Sequence, residues 1–144
     1  MSEVLTLRRA TLEDAPACAG IVSGWLIQTP WMQNVPDLVE LTEMMTKGIP
    51  MREFWVIGDP VAGYLSLEDG INHIHGLYVA TPGQGLGKAL VDRVKDGRDY
   101  LQLWTHGPNT AAHRFYHREG FVTMEEKPEG RGDGLPELRM EWRR

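Results

Sequence analysis

A mixed α/β sheet covered by helices on both faces is the fold that the sequence predicts, and three observations predict it. Segments that alternate apolar and polar residues interleave with segments whose apolar residues recur every three or four positions. The 144 residues, 42% hydrophobic and 24% charged, suit one domain, residues 1–144, with a substantial core. The sequence carries no internal repeat, no obvious linker and no long apolar run.

Val4 to Arg9 alternates as a strand, and Thr11 can cap a helix whose first turn carries Glu13 and Asp14. Leu12, Ala15, Ala19, Val22 and Leu26 form one apolar stripe through about residue 27, expected to face the core. Gln28 to Pro36, with two prolines, breaks that helix, and helical spacing resumes from Asp37 to Ile49 through Leu38, Leu41, Met45 and Ile49. Phe54 to Ile57 and Val61 to Leu67, joined at Gly58-Asp59-Pro60, read as an antiparallel hairpin. Ile71 to Val79 is the next strand, and Leu86, Leu90 and Val94 mark one side of a helix behind a glycine-rich turn. A strand at Tyr100 to Thr105, a short helix at Asn109 to Glu119 and a strand at Phe121 to Glu126 follow. A loop of Pro, Gly and charge from Lys127 to Gly134 precedes a last strand at Leu135 to Trp142.

Charge and cysteine usage exclude several function classes. A formal charge of -5 repels phosphate backbones and anionic lipid, which argues against a nucleic-acid or membrane partner. The single cysteine, Cys18, cannot form an internal disulfide and reads as a small buried hydrophobe rather than an acyl-carrying nucleophile. With no apolar signal core in the N-terminal residues, the chain reads as cytoplasmic.

The most informative stretch runs from Leu77 through Thr81-Pro82-Gly83-Gln84-Gly85-Leu86-Gly87-Lys88-Ala89 to Leu90, a strand entering a helix through glycines. Helix-start N–H groups lack internal acceptors, the helix dipole adds positive potential, and glycines admit a close anion, so Gln84 to Ala89 can cradle a phosphate or pyrophosphate. The spacing is wrong for an ATP-type P-loop, and lysine stands at 88 where a dinucleotide fingerprint needs glycine. A tight turn without ligand is the alternative reading of these glycines.

A second motif follows at Leu101 to Thr105 and Asn109-Thr110-Ala111-Ala112-His113-Arg114-Phe115-Tyr116, ending in Gly120-Phe121. Together the two motifs resemble the GNAT superfamily of acyl-CoA-dependent N-acyltransferases, across nearly the whole chain in element order. The resemblance implies a mostly antiparallel central sheet of about seven strands. It also implies that Gln84, Gly85, Leu86, Gly87, Lys88 and Ala89 line the CoA pyrophosphate, that Leu77, Tyr78 and Val79 pair with the pantetheine, and that Asn109, Ala112 and Tyr116 lie along pantetheine and sulfur. Acetyl-CoA is then the cosubstrate, with no metal. One departure is Pro82, which stands where the family pattern has Gln or Arg.

Acetyl transfer to an amine needs a neutral nucleophile, a polarised carbonyl and a proton for the leaving thiolate. Tyr116 is the candidate general acid. His73, His75 and Glu68 compete as base, and the resemblance favours His73, which matches a position where the family often carries glutamate. Gly76 marks an expected bulge that would leave the facing of His73 undetermined by period two. A metal site built on His73 and His75 lacks a complete ligand set. Trp25, Trp31 and Met32, in or beside the loop between the first two helices, are candidate walls for the acceptor, and Glu125, Glu126 and Glu137 could attract a cationic amine. The expected function is transfer of the acetyl group of acetyl-CoA directly to a primary amine of a small molecule or peptide. The alternative is a CoA-binding or acyl-CoA-sensing module with little transfer. A homodimer is compatible with either.

Overall fold

The structure, a computed structural model, describes residues 6–132 and 134–144. The expected first-strand residues 4 and 5 lie outside the described residues. Among the described residues the order is β1 (Leu7–Arg9), α1 (Ala15–Ile27), α2 (Leu38–Gly48), β2 (Glu53–Ile57), β3 (Gly63–Glu68), β4 (His73–Val79), α3 (Leu86–Lys95), β5 (Tyr100–His106), α4 (Thr110–Arg118), β6 (Val122–Lys127) and β7 (Glu137–Arg143). The seven strands form one sheet in the order β1-β2-β3-β4-β5-β7-β6, antiparallel throughout except for β4 against β5. The last strand therefore inserts between β5 and β6, a pairing of distant segments that no local pattern encodes.

Local chemistry fixes the helix starts. The Asp14 carboxylate accepts the Thr11 N–H at 2.7 Å and a two-pronged pair of bonds from Arg8 at 2.8 Å each, which hold its pKa below the usual value. A single turn of 3₁₀ helix, Leu12–Asp14, leads into α1. Asp37 accepts the Glu40 N–H at 2.9 Å while Glu40 reaches back to the Asp37 N–H at 3.3 Å, so α2 opens on a reciprocal cap. Gly85 caps α3 with a φ of +75°, a conformation open to glycine and strained for other residues.

Each face of the sheet carries its own core. Ala15, Cys18, Ala19 and Val22 of α1 and Leu41 and Met45 of α2 pack on Phe54, Val56 and Tyr64. Leu86, Leu90, Val91 and Val94 of α3 and Tyr116 of α4 pack on Leu65, Ile74, Leu101, Leu103, Met140 and Trp142 on the opposite face. Each fully buried Leu or Val of this kind contributes about 1.5–3 kcal/mol relative to its exposed state. Two residues of the expected stripes fall outside the core: Leu12, in the 3₁₀ turn ahead of α1, is 57% exposed, and Leu38, in the first turn of α2, is 52% exposed, each placed before its helix axis has closed on the sheet. Cys18 is buried, and burial beside Asp14 pushes its thiol up to about 12, which removes it as a nucleophile near neutral pH.

Candidate active site

The site arises where β4 leaves β5. The two strands run parallel but share register at only two pairs, His73↔Gln102 and Ile74↔Leu103. Against β3, Ser66 pairs with Gly76 and Leu67 with Ile74, so His75 is the extra residue of a bulge. The expected bulge is present, centred one residue earlier than Gly76. A bulge bends its strand and increases local twist, and beyond it β4 diverges from β5 to open a wedge. A Cβ at Gly76 would stand 3.3 Å from the Tyr64 hydroxyl, which lies across the strand, a tight contact that glycine avoids.

A cavity of about 1110 Å³ fills the wedge. It is lined by Leu77, Tyr78 and Val79 of β4, by the turn and helix start from Gln84 to Lys88, and by Asn109, Ala112 and Tyr116. The two sequence motifs, about 30 residues apart, thus meet in one cleft. Ala89, packed partly buried against the core of α3, stands just behind this lining.

Backbone geometry makes the wedge a fit for an amide-bearing, polyanionic ligand. The β4 edge toward β5 has no strand partner after Ile74 among the described residues, so its N–H and C=O groups can pair with ligand amides. At the far end, Gly83 and Gly85 are exposed with φ of +83° and +75°, and a Cβ at either would meet nothing within 4 Å. The first N–H groups of α3 precede its first internal bond, Ala89 N–H to the Gly85 carbonyl, and remain for an anion. Lys88 adds a charge held by Asp92 at 3.2 Å and Glu119 at 3.4 Å, which raise its pKa. Asn109 caps α4 by accepting the Ala112 N–H, and Gly87 admits the Phe115 ring at 3.2 Å from where a Cβ would stand. Pro82 lines the cleft just ahead of these N–H groups.

Tyr116 is buried between Phe115 and Phe121, with ring centroids 5.2 and 5.4 Å away. Burial pushes its phenol well above the ordinary value, so it stays protonated. No buried side-chain polar atom of the described residues lacks a partner, and none of their hydrogen bonds involves the Tyr116 hydroxyl, which therefore opens on the cleft.

The three candidate bases separate. His75 lines the cleft, and its Nε2 lies 2.8 Å from Glu68 Oε1. An ionised carboxylate only accepts, so Nε2 carries the hydrogen of that bond and Nδ1 is left as the proton-accepting nitrogen. His73 is buried beneath His75, the rings stacked 4.2 Å apart at 6°, and stands off the cavity lining. Burial first, then the neighbouring His75 and Arg131, lower its pKa to about 4. Glu68 is exposed and reaches the cleft through His75.

The acceptor-side candidates also divide. Trp25 lines the cleft, edge-on to Tyr78 at 5.4 Å and to Trp31 at 5.8 Å. Trp31 extends this wall toward His106 at 5.5 Å. Met32 is tied to its own turn by an N–H bond to the Thr29 carbonyl and is off the cavity lining. Glu125 and Glu126 lie on β6, away from the lining, with Glu125 near Arg139 at 3.7 Å.

Sequence reasoning passed over the lining arginines Arg114, Arg118 and Arg131, and named Glu137 only as an attractor of a cationic amine. Arg114 and Arg118, one turn apart on α4, add positive charge to the cleft, and their i,i+4 spacing was a visible signal. Arg131 and Glu137 were not visible as a pair: Glu137 reaches the cleft because β7 inserts beside β5, placing it across from His106. Glu137 is buried, 3.8 Å from His106 Nε2 and bonded twice by Arg131, Nε at 2.9 Å and Nη2 at 3.2 Å. Among the described residues no group of His, Cys, Asp and Glu is arranged to hold a metal ion, and no helix is long and apolar enough to cross a membrane.

A comparison with curated protein sequences gives no match. Solved structures do match in fold. The apo form of YjaB from Escherichia coli is 20% identical, with a TM-score of 0.78 over 97% of this chain and 98% of that one. A Salmonella typhimurium protein solved with acetyl-CoA is 23% identical, TM-score 0.75, over 98% and 94% of the two chains. PaiA N-acetyltransferase from Thermoplasma acidophilum, solved with coenzyme A, is 17% identical, TM-score 0.76, over 99% and 100%. The fold thus recurs in proteins solved with acetyl-CoA or coenzyme A. Residues 28–144 match the family described as acetyltransferase (GNAT) domain, and the chain belongs to the GNAT acetyltransferase family.

Proposed function

We propose that this protein is an N-acetyltransferase that moves the acetyl group of acetyl-CoA directly onto a primary amine, within one catalytic domain spanning residues 1–144. The observation that carries the reading is the convergence, in one wedge, of an unpaired strand edge, a glycine-capped helix start and a protonated tyrosine. Acetyl-CoA supplies the thioester-activated acetyl group. The α3 N–H groups from Leu86 to Lys88 hold the pyrophosphate, and β4 backbone groups from Leu77 to Val79 hold the pantetheine amides. Burial of Tyr116 keeps a proton on Oη, ready for the departing sulfur.

The base is His75, oriented through Nε2 by Glu68 and free to take the amine proton at Nδ1, directly or through water. His73, neutral and buried, holds the His75 ring by stacking. Trp25 and Trp31 form the acceptor wall. The deciding experiment pairs thermal unfolding with thiol release. Acetyl-CoA and CoA at 100 times their dissociation constants add about 2.7 kcal/mol and raise the midpoint by several degrees, whereas ATP and NAD do not. Free thiol then appears with an amine panel. A shift without thiol release would instead identify an acyl-CoA-binding module.

A further inference from the structure

The acceptor end of the cleft presents a cation, and its construction indicates what that cation binds. The Arg131 guanidinium lies over the Trp104 ring at 4.6 Å, and its Nε and Nη2 edge is fixed on Glu137. Glu137 is recessed, its side chain 6% exposed against 45% for Arg131, so an incoming molecule meets the guanidinium and not the carboxylate behind it. Lys127 approaches the same indole at 5.1 Å, which leaves the Arg131, Lys127 and Glu137 group with a net positive charge. The geometry of a guanidinium held on one edge and one face leaves Nη1 to donate, and an arginine pre-oriented in this way loses little entropy when it binds an oxyanion. Its charge also reaches His73, since Arg131 is among the groups that lower the proton affinity of that ring.

We infer that the acceptor is a small primary amine carrying a carboxylate, the α-amino-acid class, with Arg131 as the carboxylate-reading residue and Glu137 as its positioning residue. A monoanion matches the single net positive charge of the Arg131, Lys127 and Glu137 group, whereas a phosphate dianion would exceed it. Trp25, backed by Trp31, is left for an apolar side chain. This inference rests on the transfer reading above and narrows its substrate.

The test compares L-phenylalanine and L-leucine with their carboxamides, which keep the side chain and remove the charge, and with phenethylamine. Thiol release from acetyl-CoA gives kcat/KM for each. The acids are expected to exceed their amides at least tenfold, although the amide amines are the less basic and more readily deprotonated. In Arg131→Gln that ratio falls to near one, and Arg131→Lys restores part of it, as charge without the fork should. A readout independent of turnover is the thermal midpoint of the CoA-saturated protein, raised further by the acids and not by the amides, with the increment lost in Arg131→Gln. Amides or phenethylamine used as well as the acids, or an unchanged ratio in Arg131→Gln, would overturn the inference alone. Absence of thiol from every member of the panel would overturn the transfer reading, and the inference with it.

Discussion

Replacing Tyr116 with phenylalanine separates chemistry from packing. The ring contacts with Phe115 and Phe121 remain, and no hydrogen bond within the described residues is lost, because the hydroxyl opens on the cleft. The stability change is therefore expected within about 0.5 kcal/mol, the range of substitutions that break no buried feature. Turnover behaves differently. A positioned general acid contributes about 10²- to 10⁴-fold, and water can replace part of it, so kcat should fall at least about tenfold, or about 1.4 kcal/mol of barrier. The assay is steady-state thiol release, read beside the thermal midpoint and the CoA dissociation constant of the same preparation. A loss in kcat with midpoint and affinity kept is the expected result. Unchanged turnover would remove Tyr116 as the acid, and a midpoint lowered by several degrees would reassign the residue to the core.

Further outcomes follow from the same geometry. The acidic limb of the kcat/KM profile is expected to disappear in His75→Ala and to persist in His73→Asn; the reverse pattern would return the base to His73. His73 also makes stability depend on pH. Its folded pKa of about 4 lies below the ordinary 6.5, so the unfolded chain binds the extra proton between those values. The stability is present above about pH 6.5 and is lost as pH falls toward 4, by roughly 2 kcal/mol after discounting for solvent screening of the partly accessible ring. Urea unfolding at pH 7 and pH 4.5 should show a smaller acid loss in His73→Asn than in the parent, and equal losses would refute the burial argument. Gly85→Ala forces a side chain into a left-handed cap, costing about 1 kcal/mol, and should weaken acetyl-CoA binding at least fivefold by calorimetry. An unchanged affinity would detach that turn from the pyrophosphate.

What the sequence disclosed was what depends on neighbours along the chain. Element order, the resumption of helix at Asp37 and the Gly83 to Gly87 turn are local, and each appears at or within a few residues of its expected place. The bulge was legible from Gly76 but not its register, because which residue is extra is fixed by the pairing with β3 across the sheet. That offset of one residue separates His75 in the cleft from His73 beneath it, and period two alone could not make the choice. The grouping of Arg131 with Glu137 was illegible for another reason. Their meeting with Trp104 and His106 depends on β7 entering between β5 and β6, a long-range pairing with no signature in either strand.

The two-pair junction between β4 and β5 has a mechanical consequence. The sheet is effectively two half-sheets, β1 to β4 and β5 to β7 with β6, sewn together at His73–Gln102 and Ile74–Leu103 and otherwise held by the helices above and below. A ligand that threads the wedge with its amides takes the place of a missing strand, so occupancy and the cohesion of the two halves become one free energy. Amide hydrogens of β4 beyond the junction should then exchange more slowly when the cosubstrate is bound, while those of the β2–β3 hairpin stay as they were. Loading the protein would be, in this respect, the last step of its folding.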